Sequence, residues 1–150
     1  MARAPFQVLI IPFRRTKGGV EYAIFRRSDA GYWQWIAGGG EGNETPLEAA
    51  RREAQEEAGI STESDCVTLE AVSKVPVEDV VGTLLWGKDI IAIPEYCFGV
   101  DVGGRQLVLS REHSEYQWVR YETAIDILHW DSNKTALGEL NRRLLRQSAD

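Results

Sequence analysis

The sequence predicts an α/β fold, a mixed sheet with helices on both faces. Three observations carry this prediction. The N-terminal part alternates apolar runs rich in Val, Ile and Phe with turn signals, the pattern of paired strands. A helix with matching caps at both ends follows over residues 46–58. Strand-like and helix-like segments then interleave to the C-terminus, as they do when helices pack on a sheet.

Phe6 to Phe13 (FQVLIIPF) reads as a buried strand and Lys17-Gly18-Gly19 as a turn. Glu21 to Arg27 is the return strand, with Tyr22, Ile24 and Arg26 on one face and Ala23, Phe25 and Arg27 on the other. Residues 28–31 are a loop. Tyr32 to Ala37 is a short strand running into Gly38-Gly39-Gly40, where absent side chains allow close approach or a tight turn.

Thr45 is an N-cap and Glu48, three residues on, completes a capping box. Pro46 sits at the first helical position and Gly59 ends the helix. Leu47, Ala50, Ala54 and Ala58 share a face, and its alanines let the helix lie close to a sheet. Glu53, Glu56 and Glu57 cluster opposite, and Arg52 has the spacing to bridge Glu48 and Glu56.

Val67 to Val75 is a strand, and residues 76–94 are expected to form a hairpin or a long loop over the site. Glu95 to Val102 is a strand, Gly103-Gly104 a turn, and Leu107–Leu109 and Gln117–Arg120 short strands. Tyr121, Ala124, Ile125 and Leu128 have helical spacing. Asp131, Ser132 and Asn133 offer N-caps for a final helix whose face is Ala136 or Leu137, Leu140 and Leu144.

A length of 150 residues suits one domain, 1–150, with a sizeable core. The net charge of −6 argues against a nucleic-acid partner, because such affinity comes from neutralising phosphates. Cys66 and Cys97 form no CxxC, so reduced thiols and a cytoplasmic setting are expected. The apolar run near the N-terminus is broken by Pro12 and is too short for a membrane span.

The chemistry concentrates in residues 38–60, GGGEGNETPLEAARREAQEEAGI. Three clustered carboxylates repel one another, and a bound divalent cation removes that cost. Oxygen-only ligands favour Mg²⁺ or Mn²⁺ over zinc. By itself EAARREAQEE reads equally well as a solvated, salt-bridged face. The longer pattern decides, because its seven fixed positions, each met by chance at roughly 1 in 15, coincide on the order of 10⁻⁸ per start.

The segment resembles the Nudix box, with Gly38, Glu44, Arg52, Glu53, Glu56, Glu57 and Gly59 matching. The two aliphatic positions hold Ala54, smaller than usual, and Ile60. The resemblance implies the α/β/α sandwich of the Nudix hydrolases and metal-dependent cleavage of phosphoanhydrides. It places a shared metal on Glu53 and Glu57, with Glu56 on an adjacent metal or acting as base. Glu44 and Arg52 orient the loop and the glutamates, and the backbone at Ala37, Gly38 and Gly39 helps to place substrate and Glu53.

In many members of the family a Glu followed by His, ahead of an aromatic strand, completes the metal set from a loop. Glu112 in REHSEYQWV matches, with Glu115 as fallback and a solvated loop carboxylate as the plain alternative. His113 reads as a loop hydrogen-bonder, although its intrinsic pKa leaves base chemistry open. Arg26 aligns with the substrate-binding arginine of related triphosphate hydrolases, Arg27 reads as a surface charge, and Arg3 is a second candidate for the polyphosphate. Of Tyr32, Trp33, Trp35, Trp86 and Trp130, any one could stack on a base or simply pack, and Trp118 reads as core.

FRRSDAGYWQWIAGGGEGNE, IPEYCFGV, REHSEYQWV and WDSNKTALGEL are similar to the branch that includes dATP and dihydroneopterin triphosphate pyrophosphatases. There a WSN-type segment lies beside the pocket, which makes Ser132 a substrate contact. The implied reaction is Mg²⁺-dependent release of pyrophosphate and a monophosphate from a small-molecule nucleotide or related polyphosphate, and a homodimer is compatible with it. Three alternatives stand beside it: a dinucleoside polyphosphate hydrolase, an RNA 5′-end pyrophosphohydrolase and a non-catalytic nucleotide-binding module. The last usually lacks one or more box glutamates, and this chain keeps them all.

Overall fold

In the computed structural model, which describes residues 2–149, the long strand Arg3–Thr16 (β1) is the spine of the sheet. Its later half turns back through Gly19–Arg27 (β2), and its earlier half pairs antiparallel with Ile36–Glu41 (β4). On its other edge β1 runs parallel to Ala92–Asp101 (β6), which pairs antiparallel with Cys66–Pro76 (β5). Trp33–Gln34 (β3) and His113–Val119 (β7) both pair with β2. The one parallel pairing among antiparallel ones makes the sheet mixed.

Strand alternation divides the core between two faces. Val8, Ile10, Ala23 and Phe25 pack under Ala49, Ala50, Ala54 and Ala58 of helix Pro46–Ala58 (α1). Leu9, Ile11, Tyr22, Ile24 and Trp35 pack under Ala124 of helix Tyr121–Ile127 (α3) and Leu137, Leu140 and Leu144 of helix Asp131–Ala149 (α4). The helices therefore lie on both faces, as the sequence predicts.

The caps of α1 also form. Thr45 Oγ1 accepts from the Glu48 N–H, the Glu48 carboxylate accepts from the Thr45 N–H, and Gly59 takes a left-handed conformation at φ 67°. Because Glu48 is engaged there, Arg52 bridges Glu56 but not Glu48.

Residues 76–94 close the antiparallel β5–β6 pair beside the cleft, with Pro76 paired to Ala92, and add a short helix Val77–Val81 (α2) before a loop to Ile91. Other expected elements differ. Leu107–Leu109 is not a strand. Its backbone closes the end of α1, where the Val108 N–H donates to the Ala58 carbonyl at 2.9 Å and the Ser110 N–H to the Glu57 carbonyl at 3.1 Å. A helix C-terminus leaves its last carbonyls unpaired, and this loop supplies donors for two of them. Asp131, Ser132 and Asn133 lie inside α4. Asn133 serves Trp35 instead, its Oδ1 accepting from the backbone N–H and its carbonyl from Nε1–H, each at 3.0 Å. Trp118 is only partly buried, with the Arg14 guanidinium 4.2 Å from its ring centroid.

Candidate active site

A cleft of about 830 Å³ opens between the acidic face of α1, strand β4, the end of β5 with α2, and the start of α4. That volume suits a nucleotide-sized ligand. Gly38 and Gly39 form part of its wall inside β4, paired with Val8 and Gln7 rather than turning the chain. Their missing side chains admit other side chains. A Cβ at Gly38 would land on the Glu53 carboxyl, and one at Gly39 on the Arg3 guanidinium. The glycine run thus lets α1 press its glutamates against the strand.

Arg52 organises one half of the acidic face. Its Nε and Nη2 form a fork on Glu44 at 2.8 and 3.0 Å, and Nη2 also donates to the Gly39 carbonyl at 2.8 Å. Its Nη1 donates to Glu53 and to Glu56, each at 3.1 Å. A forked, charge-assisted pair is directional as well as strong, so Glu44 fixes Arg52 and Arg52 fixes the two glutamates. The same contact holds the Glu44 carboxyl below its ordinary range. Burial pushes Glu53 up to about 7, against the opposing pull of Arg52.

Glu57, Glu112 and His113 form the other half. Their ligand atoms all lie within 4.8 Å of one another. Glu57 accepts a hydrogen bond from the Ser110 hydroxyl, whose oxygen accepts from the Glu112 N–H at 3.2 Å. Burial, then the hydrogen bond shared with Glu57, pushes Glu112 up to about 7. Burial lowers the pKa of His113, and its Nδ1 has no hydrogen-bond partner. The Glu57 carboxyl raises the pKa of Glu112, and with the His113 ring beside them the group fits a divalent cation. The charges of Glu56 and Glu57 act on Glu53, and that of Glu53 acts on Glu112, while Arg52 bonds both Glu53 and Glu56.

Of the other residues predicted for the site, Arg3, Ala37, Gly38 and Ser132 line the cleft. Arg3 is held there by its bonds to the Phe6 carbonyl at 2.8 Å and Gln7 Oε1 at 2.6 Å. Arg26 is not in the cleft wall. It is exposed, bonded to the Gly31 carbonyl at 3.0 Å and to Glu115 at 3.2 Å, which also keeps Glu115 away. Arg27 lines the cleft, oriented by a fork on Asp29 at 2.9 and 2.8 Å that raises its pKa. The alternation of β2 separates the two arginines, but alternation does not say which face meets the site.

Among the aromatics, Tyr32 and Trp130 line the cleft. Tyr32 stacks on His129 at 4.3 Å between centroids and meets Trp130 edge-on at 5.5 Å. Trp35 is core, and Trp86 donates its Nε1–H to the Arg3 carbonyl at 3.0 Å. Sequence reasoning missed Arg27, Ser110, Gln34 and Glu95. A serine two residues before Glu112 and an acid inside an apolar strand were the available signals for two of them.

The chain matches the NUDIX domain family over residues 5–140. A solved Nudix hydrolase of Listeria monocytogenes is 42% identical, with a TM-score of 0.87 over 96% of this chain and 97% of that one. At 20% identity, the dihydroneopterin triphosphate pyrophosphohydrolase of E. coli superposes with a TM-score of 0.76 over 95% and 99% of the two chains. The Ap4A hydrolase of C. elegans, also 20% identical, reaches 0.75 with the same coverage. With its box carried on α1 as the sequence predicts, the chain belongs to the Nudix hydrolases and is a hydrolase acting on phosphoanhydride bonds.

Proposed function

We propose that the protein is a Mg²⁺-dependent pyrophosphohydrolase of nucleoside triphosphates or a related organic triphosphate, of the dATP or dihydroneopterin triphosphate type. The products are a monophosphate and pyrophosphate, and Mn²⁺ would serve in place of Mg²⁺. The observation that supports this most is the meeting of Glu57 and Glu112, with His113 buried beside them, in one cleft with Arg27 and Arg3. Phosphoryl transfer needs neutralised phosphate oxygens and a positioned nucleophile, and these groups supply both.

When bound, the cation shields the phosphate oxygens and lowers the pKa of an attacking water. Glu57 and Glu112 are the residues to hold it, joined by Glu53. Glu56, exposed and paired with Arg52, takes the proton in this reading. Arg27 and Arg3 orient the polyphosphate from the cleft wall. Ala37, Gly38 and Ser132 bound the space for the rest of the substrate. A dinucleoside polyphosphate is the second reading, favoured by the comparable likeness to the C. elegans Ap4A hydrolase.

The test is pyrophosphate and orthophosphate release from dNTPs, NTPs, dihydroneopterin triphosphate and dinucleoside polyphosphates, with and without Mg²⁺. Metal-dependent pyrophosphate from a triphosphate is the expected result. Turnover of dinucleoside polyphosphates alone would move the assignment to the second reading, and metal-independent turnover would sink both.

A further inference from the structure

Glu95 sits in the middle of β6 between Ile93 and Cys97, both buried and apolar. It is only 6% exposed, yet it lines the cleft, and its Oε1 has no hydrogen-bond partner. Its register partners are Gln7 on β1 and Ser73 on β5, and both line the same cleft. Side chains in register on adjacent strands point the same way, so the three form a polar row in the wall. Leu9 and Val75, two residues further along the flanking strands, give the row an apolar border.

Gln7 accepts from Arg3 through Oε1, which leaves its amide N–H groups as the end offered to a ligand. Glu95 offers acceptors. A carboxyl desolvated without a partner is costly, and an apolar residue would fill the strand at no such cost. Its place in the cleft wall makes a ligand group the partner that fits. A carboxylate with two acceptor oxygens matches a planar edge carrying two neighbouring N–H donors, as it matches a guanidinium. The pyrimidine ring of guanine or of a pterin, with its ring N–H beside an exocyclic amino group, is such an edge. Adenine pairs one donor with one acceptor and leaves a carboxylate oxygen facing a lone pair.

Building on the triphosphate reading above, we propose that Glu95, flanked by Gln7 and Ser73, binds the organic end of the substrate. It does so by accepting two N–H donors from a 2-amino-oxo-pyrimidine edge, that of guanine or a pterin.

The experiment compares kcat/KM for GTP, ITP, ATP and dihydroneopterin triphosphate in the unaltered protein and in Glu95→Gln. ITP differs from GTP only in lacking the amino group. The unaltered protein should favour GTP over ITP by about tenfold or more, or the pterin substrate over all three by a similar factor. The first result assigns the purine and the second the pterin. Glu95→Gln should lower kcat/KM for the favoured substrate about tenfold more than for ITP, mainly through KM. A preference for ATP, equal use of GTP and ITP without a pterin preference, or a ranking that survives Glu95→Gln would overturn the assignment. Silence on all four triphosphates would overturn the triphosphate reading itself. The GTP, ITP and ATP comparison needs no variant, so it can overturn the assignment even if Glu95→Gln fails to fold.

Discussion

Arg52 and Glu95 show two ways of placing a charge in one cleft. Arg52 is satisfied on every side, by Glu44, Gly39, Glu53 and Glu56. Lysine keeps its charge but loses the fork. Arg52→Lys should therefore cost about 2 kcal/mol of stability and lower kcat by tenfold or more, read by thermal melts and steady-state kinetics. Glu95 has no such partners, and burial pushes its pKa up from 4.5 to about 7. The native state then binds more protons than the unfolded chain across that window. Stability is highest below it and falls as pH rises through it, by about 3 kcal/mol from this group. Glu53 and Glu112 shift the same way and add to the slope. Melts in EDTA from pH 4.5 to 8 should show a declining midpoint, and Glu95→Gln should make the decline shallower.

At the scale of elements, α1 and β4 work as a pair, because Glu53 occupies the space that Gly38 leaves empty. Gly38→Ala would drive the carboxyl off the strand, so activity should fall by about 100-fold or more while the far-UV spectrum stays native. Helix α1 was fully legible in the sequence because capping boxes and left-handed glycines are local rules, satisfied within a few residues. The clustering of Glu53, Glu56 and Glu57 on the cleft side of α1 was legible for the same reason, since spacing on one helix fixes the face. What was not legible depends on contacts distant in sequence. Leu107–Leu109 has strand-like residues, yet its N–H groups go to the end of α1. Asn133 looks like a helix cap, yet its side chain answers the buried backbone of Trp35. The choice between Arg26 and Arg27 turns on which face of β2 meets the cleft, and periodicity gives two faces without naming them.

For the whole molecule, two of the carboxylates that make the apo protein sensitive to pH, Glu53 and Glu112, are also expected to hold the metal. Binding to the native state stabilises it by mass action, and the cation prefers ionised ligands. Mg²⁺ should therefore raise the melting midpoint more at pH 8 than at pH 5.5. Glu57→Gln should abolish that rise and nearly all activity without lowering the metal-free midpoint. A normal Mg²⁺ response in that variant would remove Glu57 from the metal site.

The loop that ends α1 carries a consequence for how the chain tolerates changes in length. Val108 and Ser110 pin their backbone to the carbonyls of Ala58 and Glu57, whereas Gly103 and Gly104 face open space. The segment is thus slack at its start and taut at its end. Extra residues at Gly103-Gly104 should bulge outward and leave turnover intact. One extra residue between Ser110 and Glu112 would displace the carboxylate by about 3.3 Å, more than a metal ligand can stray, and should silence the enzyme.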